Sequence, residues 1–247
     1  MKKLILSVLL LAPTFGFASG GGVALDKANV DLSNTASLQR GFKYFGSYCM
    51  SCHGASYSRY NRVGRDLGIT DAQLLENAIF TRDEKGEREK VGALMKVAMQ
   101  PSYAKEAFGT NPPDLSVIAR SRSADWLYTY LRGFYLDSSR PFGVNNTAFP
   151  DVGMPHVLWE LQGWQEKQEA HGDEHHGGGV ELKLVEGGSQ TPAEYDRTVR
   201  DIVGFLVYLG EPAQAARKQY GLYVLLFLFL LFIPAYFLKK EYWKDIH

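Results

Sequence analysis

Cysteine is scarce in this chain: 247 residues contain two, Cys49 and Cys52. A zinc site built on them would need two further Cys or His ligands at suitable spacing, and a thioredoxin-like redox pair would sit in a βαβ pattern that is missing here. An excess of charge of either sign is lacking too. The chain has 27 basic and 27 acidic residues, and no nucleic-acid partner is expected. Internal repeats are absent, and uncharged apolar runs are confined to the two ends.

The two cysteines stand three apart and are followed at once by a histidine, as Cys49-Met50-Ser51-Cys52-His53. On a helical face both thiols reach the same side, and each can form a thioether to a vinyl group of one haem. His53, one position further, reaches the iron. The chain is therefore expected to carry one haem c, attached covalently through Cys49 and Cys52, which leaves no thiol for a disulfide.

The ends give an address. Residues 1–18 hold Lys2 and Lys3, the apolar run Leu4 to Leu11, and then small residues before Ser19, the pattern of a secretory signal peptide. Residues 220–238 are nineteen residues without a charge, which as a helix span roughly 28 Å at ~1.5 Å per residue, close to the bilayer core. Lys239, Lys240 and Lys244 follow it, so the tail 239–247 is read as cytoplasmic and everything upstream as exported. Membrane lipid is then a partner, and the expected location is a bacterial inner membrane with the haem domain in the periplasm. Pro234 should kink the span mildly.

Between these ends residues 19–219 are enough for one domain with a core of its own, and its readable elements are mainly α. Asn34 or Thr35 can cap a helix running through Phe42 and Phe45 into the haem motif; Thr70 with Gln73 forms a capping-box pattern; Ser123 can cap a third helix through Trp126 and Leu131. Thr191-Pro192-Ala193-Glu194 opens a helix with apolar residues from Tyr195 to Leu209 at helical spacing. It should cross the Leu38–Phe45 helix, with Gly41 permitting close approach. The stretch 163–190, rich in glycine and carrying His171, His175 and His176, reads as a mobile surface segment. From Asp151 to Asp196 ten acidic residues face two lysines, a field that would attract a basic partner.

Electron transfer needs a sixth iron ligand, whereas a haem enzyme or gas sensor keeps that position open. The candidates are Met95, Met99, Met154 and His156. Met95 and Met99, four apart beside Leu94 and Val97, read as an ordinary apolar helix face. Met154 lies in Phe149-Pro150-Asp151-Val152-Gly153-Met154-Pro155, a proline-braced loop suited to holding a thioether against a flat haem face, and it is favoured. A thioether supports the reduced iron and a high potential.

Leu38-Gln39-Arg40-Gly41-Phe42, Asn111-Pro112-Pro113-Asp114-Leu115-Ser116, Gly153-Met154-Pro155, and Glu211-Pro212 with Arg217-Lys218 before the final span together resemble the cytochrome c1 family of bacterial cytochrome bc1 complexes. The resemblance implies a cytochrome c-type haem domain with one C-terminal transmembrane helix. It implies an electron carrier, not an enzyme by itself, that takes one electron from a Rieske iron-sulfur protein and passes it to a periplasmic cytochrome c, beside a cytochrome b subunit in a dimeric complex. It also implies His53 and Met154 as axial ligands and Pro113, Arg122, Trp126 and Phe149 as pocket residues, Arg122 facing a haem propionate with Arg120 as the near alternative. A carbonyl of the Pro112-Pro113 corner, free of competing N–H donors, is positioned to accept from the His53 ring.

Overall fold

The structure, a computed structural model, describes residues 24–83, 85–97, 99–168 and 181–244. Residues 1–18, read from the sequence as a signal peptide, and the histidines at 171, 175 and 176 lie outside them.

Helix α1 (Thr35–Tyr44) starts where Asn34 accepts a hydrogen bond from the Ser37 N–H at 3.0 Å, satisfying one of the donors a helix start leaves free. Its amphipathic face buries Leu38, Gly41 and Phe42. These meet a nineteen-residue helix, α8 (Pro192–Gly210), opened by the Thr191–Glu194 capping box with Pro192 in the first turn. The two helices cross at Gly41, where a Cβ would stand 2.1 Å from the Asp201 carbonyl oxygen, so that only a hydrogen atom fits between the backbones. Phe205 fills the space beside the crossing, its ring 5.3 Å from Phe42 and 5.4 Å from Phe45. Asp201, buried at 6% exposure, accepts from Arg40 Nε at 2.6 Å and from the Ser37 hydroxyl; a carboxylate can be buried only when paired in this way.

Helix α6 (Ala124–Arg132) packs on the same long helix. Ser123 caps it by accepting from the Trp126 N–H at 3.2 Å, and the buried Tyr195 hydroxyl donates to the Leu131 carbonyl at 2.8 Å. The expected caps at Asn34, Thr70, Ser123 and Thr191 are thus all formed. Shorter helices, α2 (Tyr60–Leu67), α3 (Asp71–Asn77), α4 (Pro101–Phe108), α5 (Ile118–Arg122) and α7 (Trp159–Gln162), fill in around this trio.

Two expectations are corrected. Leu94 and Met95 lie on no helix: they form strand β2 (Leu94–Met95), paired antiparallel with β1 (Ala55–Arg59) across a register shift, and Met95 is fully buried. Local spacing of four could not report this, because the pairing partner is some 40 residues away. The glycine-rich stretch is not irregular throughout either. Strand β5 (Gly163–Lys167) pairs antiparallel with β6 (Leu182–Gly187), and Gly163 is there because the backbones nearly touch: at φ 89° its Cβ would lie 2.0 Å from the Glu186 carbonyl oxygen. A third pair, β3 (Phe134–Leu136) with β4 (Val144–Asn146), follows α6.

The last helix, α9 (Gln214–Tyr242), is the one described helix long and apolar enough to cross a membrane. None of its residues is buried, and it continues through Pro234.

Candidate haem site

A short π-helical segment, Phe45–Cys49, follows α1, with the Met50 N–H bonded to the Phe45 carbonyl at 3.1 Å. Such a widened turn shifts the register of what comes next. The haem motif itself leaves the helix here: Cys52 and His53 both donate their N–H to the Cys49 carbonyl, at 3.1 and 2.8 Å, in a tight turn where the spacing predicted continued helix. Cys49, Cys52 and His53 nevertheless face one cavity of about 290 Å³.

The favoured site residues all line that cavity: Cys49, Cys52 and His53 on one wall, Pro113 beside them, Trp126 and Arg122 from the α5–α6 corner, and Phe149 and Met154 from the following loop. Ile202 and Leu206 of α8 close it from behind. Of the four candidate sixth ligands, Met154 alone lines it; Met95 and Met99 lie elsewhere, and His156 is buried outside the lining, stacked 4.9 Å from the Phe134 ring. Burial pushes the His156 imidazole down to about 4, so it is neutral. Arg122 lies over the Trp126 ring at 5.2 Å and the Phe149 ring at 5.9 Å, whereas the Arg120 chain runs toward Gly210.

His53 Nδ1 stands 2.7 Å from the Pro113 carbonyl oxygen. A carbonyl only accepts, so Nδ1 carries the proton and Nε2 keeps its lone pair. Burial pushes the His53 pKa down against the opposing pull of the Pro113 carbonyl and Asp114, and the neutral imidazole needed by a metal is the form favoured. Burial, followed by the neighbouring Cys52, pushes the Cys49 thiol up to about 12.

A covalently attached haem fits this chemistry. The cavity presents two thiols, one imidazole nitrogen and one thioether on walls otherwise made largely of carbon. Walls of this composition, with a few converging polar and sulfur groups, suit a large, mostly apolar group.

Several residues that hold the site were missed in the sequence. Asn146, 1% exposed, donates from Nδ2 to the Tyr130 carbonyl at 2.8 Å and accepts from the Ala148 and Phe149 N–H groups at 2.9 and 3.2 Å. Asn145 accepts from the Asp151 N–H at 2.8 Å. This asparagine pair ties the Met154 loop to α6. The signal available was two adjacent amides just upstream of a proline-braced loop, a pattern that reads equally well as a turn.

Residues 27–246 match the family described as Cytochrome C1. The chain is 54% identical over 253 residues to cytochrome c1 of Allochromatium vinosum, covering all of both chains. It is 47% identical over 247 residues to a protein named ammonia monooxygenase gamma subunit of Nitrosomonas europaea, covering 100% of this chain and 99% of that one. To cytochrome c1 of Rhodobacter capsulatus it is 25% identical over 293 residues, covering 98% and 97%. With its two cysteines, its cavity and its apolar final helix, the chain belongs to the cytochrome c1 family, as a membrane-anchored electron carrier bearing one covalently bound haem c.

Proposed function

We propose that the protein takes single electrons from a Rieske iron-sulfur protein and passes them to a periplasmic cytochrome c, beside cytochrome b in a dimeric bc1 complex. In this reading Cys49 and Cys52 form the thioethers, His53 and Met154 are the axial ligands, and Arg122 pairs with a propionate. The bound haem supplies the one-electron couple. The protein's own residues do the rest. Pro113 holds the His53 ring by its Nδ1 proton and fixes the direction of Nε2; Trp126, Phe149 and Ile202 line the cavity and would keep water from the bound group; the asparagine-braced loop holds the Met154 sulfur. The anchor is read as crossing the inner membrane once, with the haem domain in the periplasm. The acidic stretch from Asp151 to Asp196 suits a basic, soluble acceptor, whose arrival it would speed in a salt-dependent way.

The observation that carries this reading is the His53–Pro113 hydrogen bond in a cavity that also contains Met154: one nitrogen is oriented for a metal, and a sulfur ligand lies within the same walls. The test is Met154→Lys in the assembled complex. Covalent haem should remain, while the reduction potential falls and quinol oxidation slows, because an amine supports the oxidised iron where a thioether supports the reduced one. Each ~59 mV lost is about tenfold in the one-electron equilibrium. Met95→Leu and Met99→Leu should leave the potential nearly unchanged. Rapid carbon monoxide binding by the reduced, unmodified protein would instead support the second reading, a tethered haem enzyme or gas sensor with an open iron position.

A further inference from the structure

Tyr130 has no part in the motifs that reveal the site. Its hydroxyl stands 3.3 Å from the Met154 sulfur, an ordinary distance for an O–H donor on the larger sulfur atom. The ring has little freedom to turn that hydroxyl elsewhere. It stacks on Trp126 with centroids 4.9 Å apart at 10°, and the Phe134 ring meets it edge-on at 5.3 Å and 67°. His156 stacks on Phe134 in turn at 4.9 Å, backing the assembly from the side away from the cavity. Donor and acceptor also share a frame, since Asn146 bonds the Tyr130 carbonyl and the N–H groups that begin the Met154 loop.

We propose that the Tyr130 hydroxyl donates to the Met154 thioether while that sulfur binds iron, and so raises the reduction potential of this cytochrome. The inference rests on Met154 being the axial ligand. A thioether sulfur has two lone pairs; one serves the metal and the other accepts from Tyr130. The hydrogen bond draws electron density from sulfur and makes it a poorer donor. Ferric iron, which depends more on that donation, loses more than ferrous iron does, and the balance moves toward the reduced form. Tyr130 is thus a positioning and tuning residue, acting through Met154.

The experiment is Tyr130→Phe in the full chain within its solubilised complex, which keeps the ring stack and removes one atom. The equilibrium constant for one-electron reduction should fall two- to tenfold, roughly 18 to 59 mV at ~59 mV per tenfold. The ferric protein should also bind added imidazole more weakly, because a better sulfur donor is harder to displace. A merely structural role predicts the opposite: a loosened loop takes up imidazole more readily. Tyr208→Phe is the control, since that hydroxyl donates to Asp66 at 2.8 Å and lies outside the cavity lining; it should move neither quantity. An unchanged potential in Tyr130→Phe, with the sulfur-to-iron charge-transfer band still present, overturns this inference and leaves the ligand assignment standing. Absence of that band from the unmodified ferric protein overturns both. If the variant does not accumulate, exchange of the unmodified protein into deuterated water decides instead. The iron–sulfur vibration should shift as the hydroxyl proton is replaced, and no shift after complete exchange overturns the proposal.

Discussion

Asp114 does not line the cavity, yet it sets where the Pro113 carbonyl stands. Its carboxylate accepts from the Ser56 and Ser116 N–H groups, each at 2.9 Å, and from the Ser116 hydroxyl. Ser116 in turn accepts from the Tyr57 N–H at 3.0 Å, and Leu115 donates to the Gly54 carbonyl at 2.8 Å. The loop is thereby stitched to β1 immediately after His53. Burial works to raise the Asp114 pKa, but the hydrogen bonds from Ser116 and Ser56 outweigh it and hold the carboxyl below its usual value. A carboxyl depressed on folding contributes stability that is fully present above its unfolded pKa of ~3.9 and is lost as pH falls through the folded value. Asp114→Asn turns an NH2 group toward N–H donors and should cost about 1–3 kcal/mol at pH 7, a gap that narrows below pH ~3.9. Thermal melting of both proteins at pH 7 and at strongly acid pH checks this; an equal gap at the two values would count against it. A looser Pro113 should also make His53 less basic and raise the potential slightly. At this scale the haem motif, the Pro113 acceptor and the Met154 loop were legible, because each is a local pattern tied to a specific chemistry. Asp114, Tyr130 and Asn146 were not read as positioning groups, since their partners come from other segments and no spacing announces them.

Among elements, the α1–α8 crossing governs the rest, because α1 runs through the π segment directly into the haem motif while α8 forms the back wall of the cavity. Its closeness depends on Gly41. A methyl there would meet the Asp201 carbonyl at 2.1 Å and Phe205 Cβ at 2.8 Å, and neither is the end of a flexible side chain. Gly41→Ala should therefore force the helices apart at a cost of about 1–3 kcal/mol, lowering the melting temperature by ~2–4 °C per kcal/mol for a domain of this size. Gly46, with nothing within 4 Å of its would-be Cβ, is the comparison: Gly46→Ala should change stability by no more than ~0.5 kcal/mol. Equal losses from the two substitutions would show that the close contact with Asp201 and Phe205 is not what governs Gly41, since helix propensity alone favours alanine. The crossing could be read from the sequence because helical spacing and capping boxes are strong local signals. The β5–β6 pair could not: Gly163, and Gly188 just after β6, serve close backbone contact, which by composition is indistinguishable from flexibility.

For the whole molecule the division of labour follows from where apolar surface goes. Leu127, Leu131, Ile202, Phe205 and Leu206 are spent inside the haem domain, whereas Leu222, Phe227, Leu230 and Phe237 of α9 are each more than 50% exposed. An all-round apolar helix with no buried residue contributes nothing to the domain's core, and its surface is satisfied only by lipid or by neighbouring membrane helices. Arg217, paired with Glu211, and Lys218 mark the junction before the uncharged stretch begins. Ending the chain after Gln219 should accordingly release the haem domain into the soluble exported fraction. Because every residue lining the cavity precedes that point, the reduced-haem spectrum, the potential and the melting temperature should match those of the full-length protein. Fractionation followed by redox titration is the measurement. Retention of the shortened protein in membranes lacking its partner subunits would mean that a second surface of the domain binds lipid. A shifted potential would mean that α9, though remote from the cavity, acts on the haem through the α8–α9 junction.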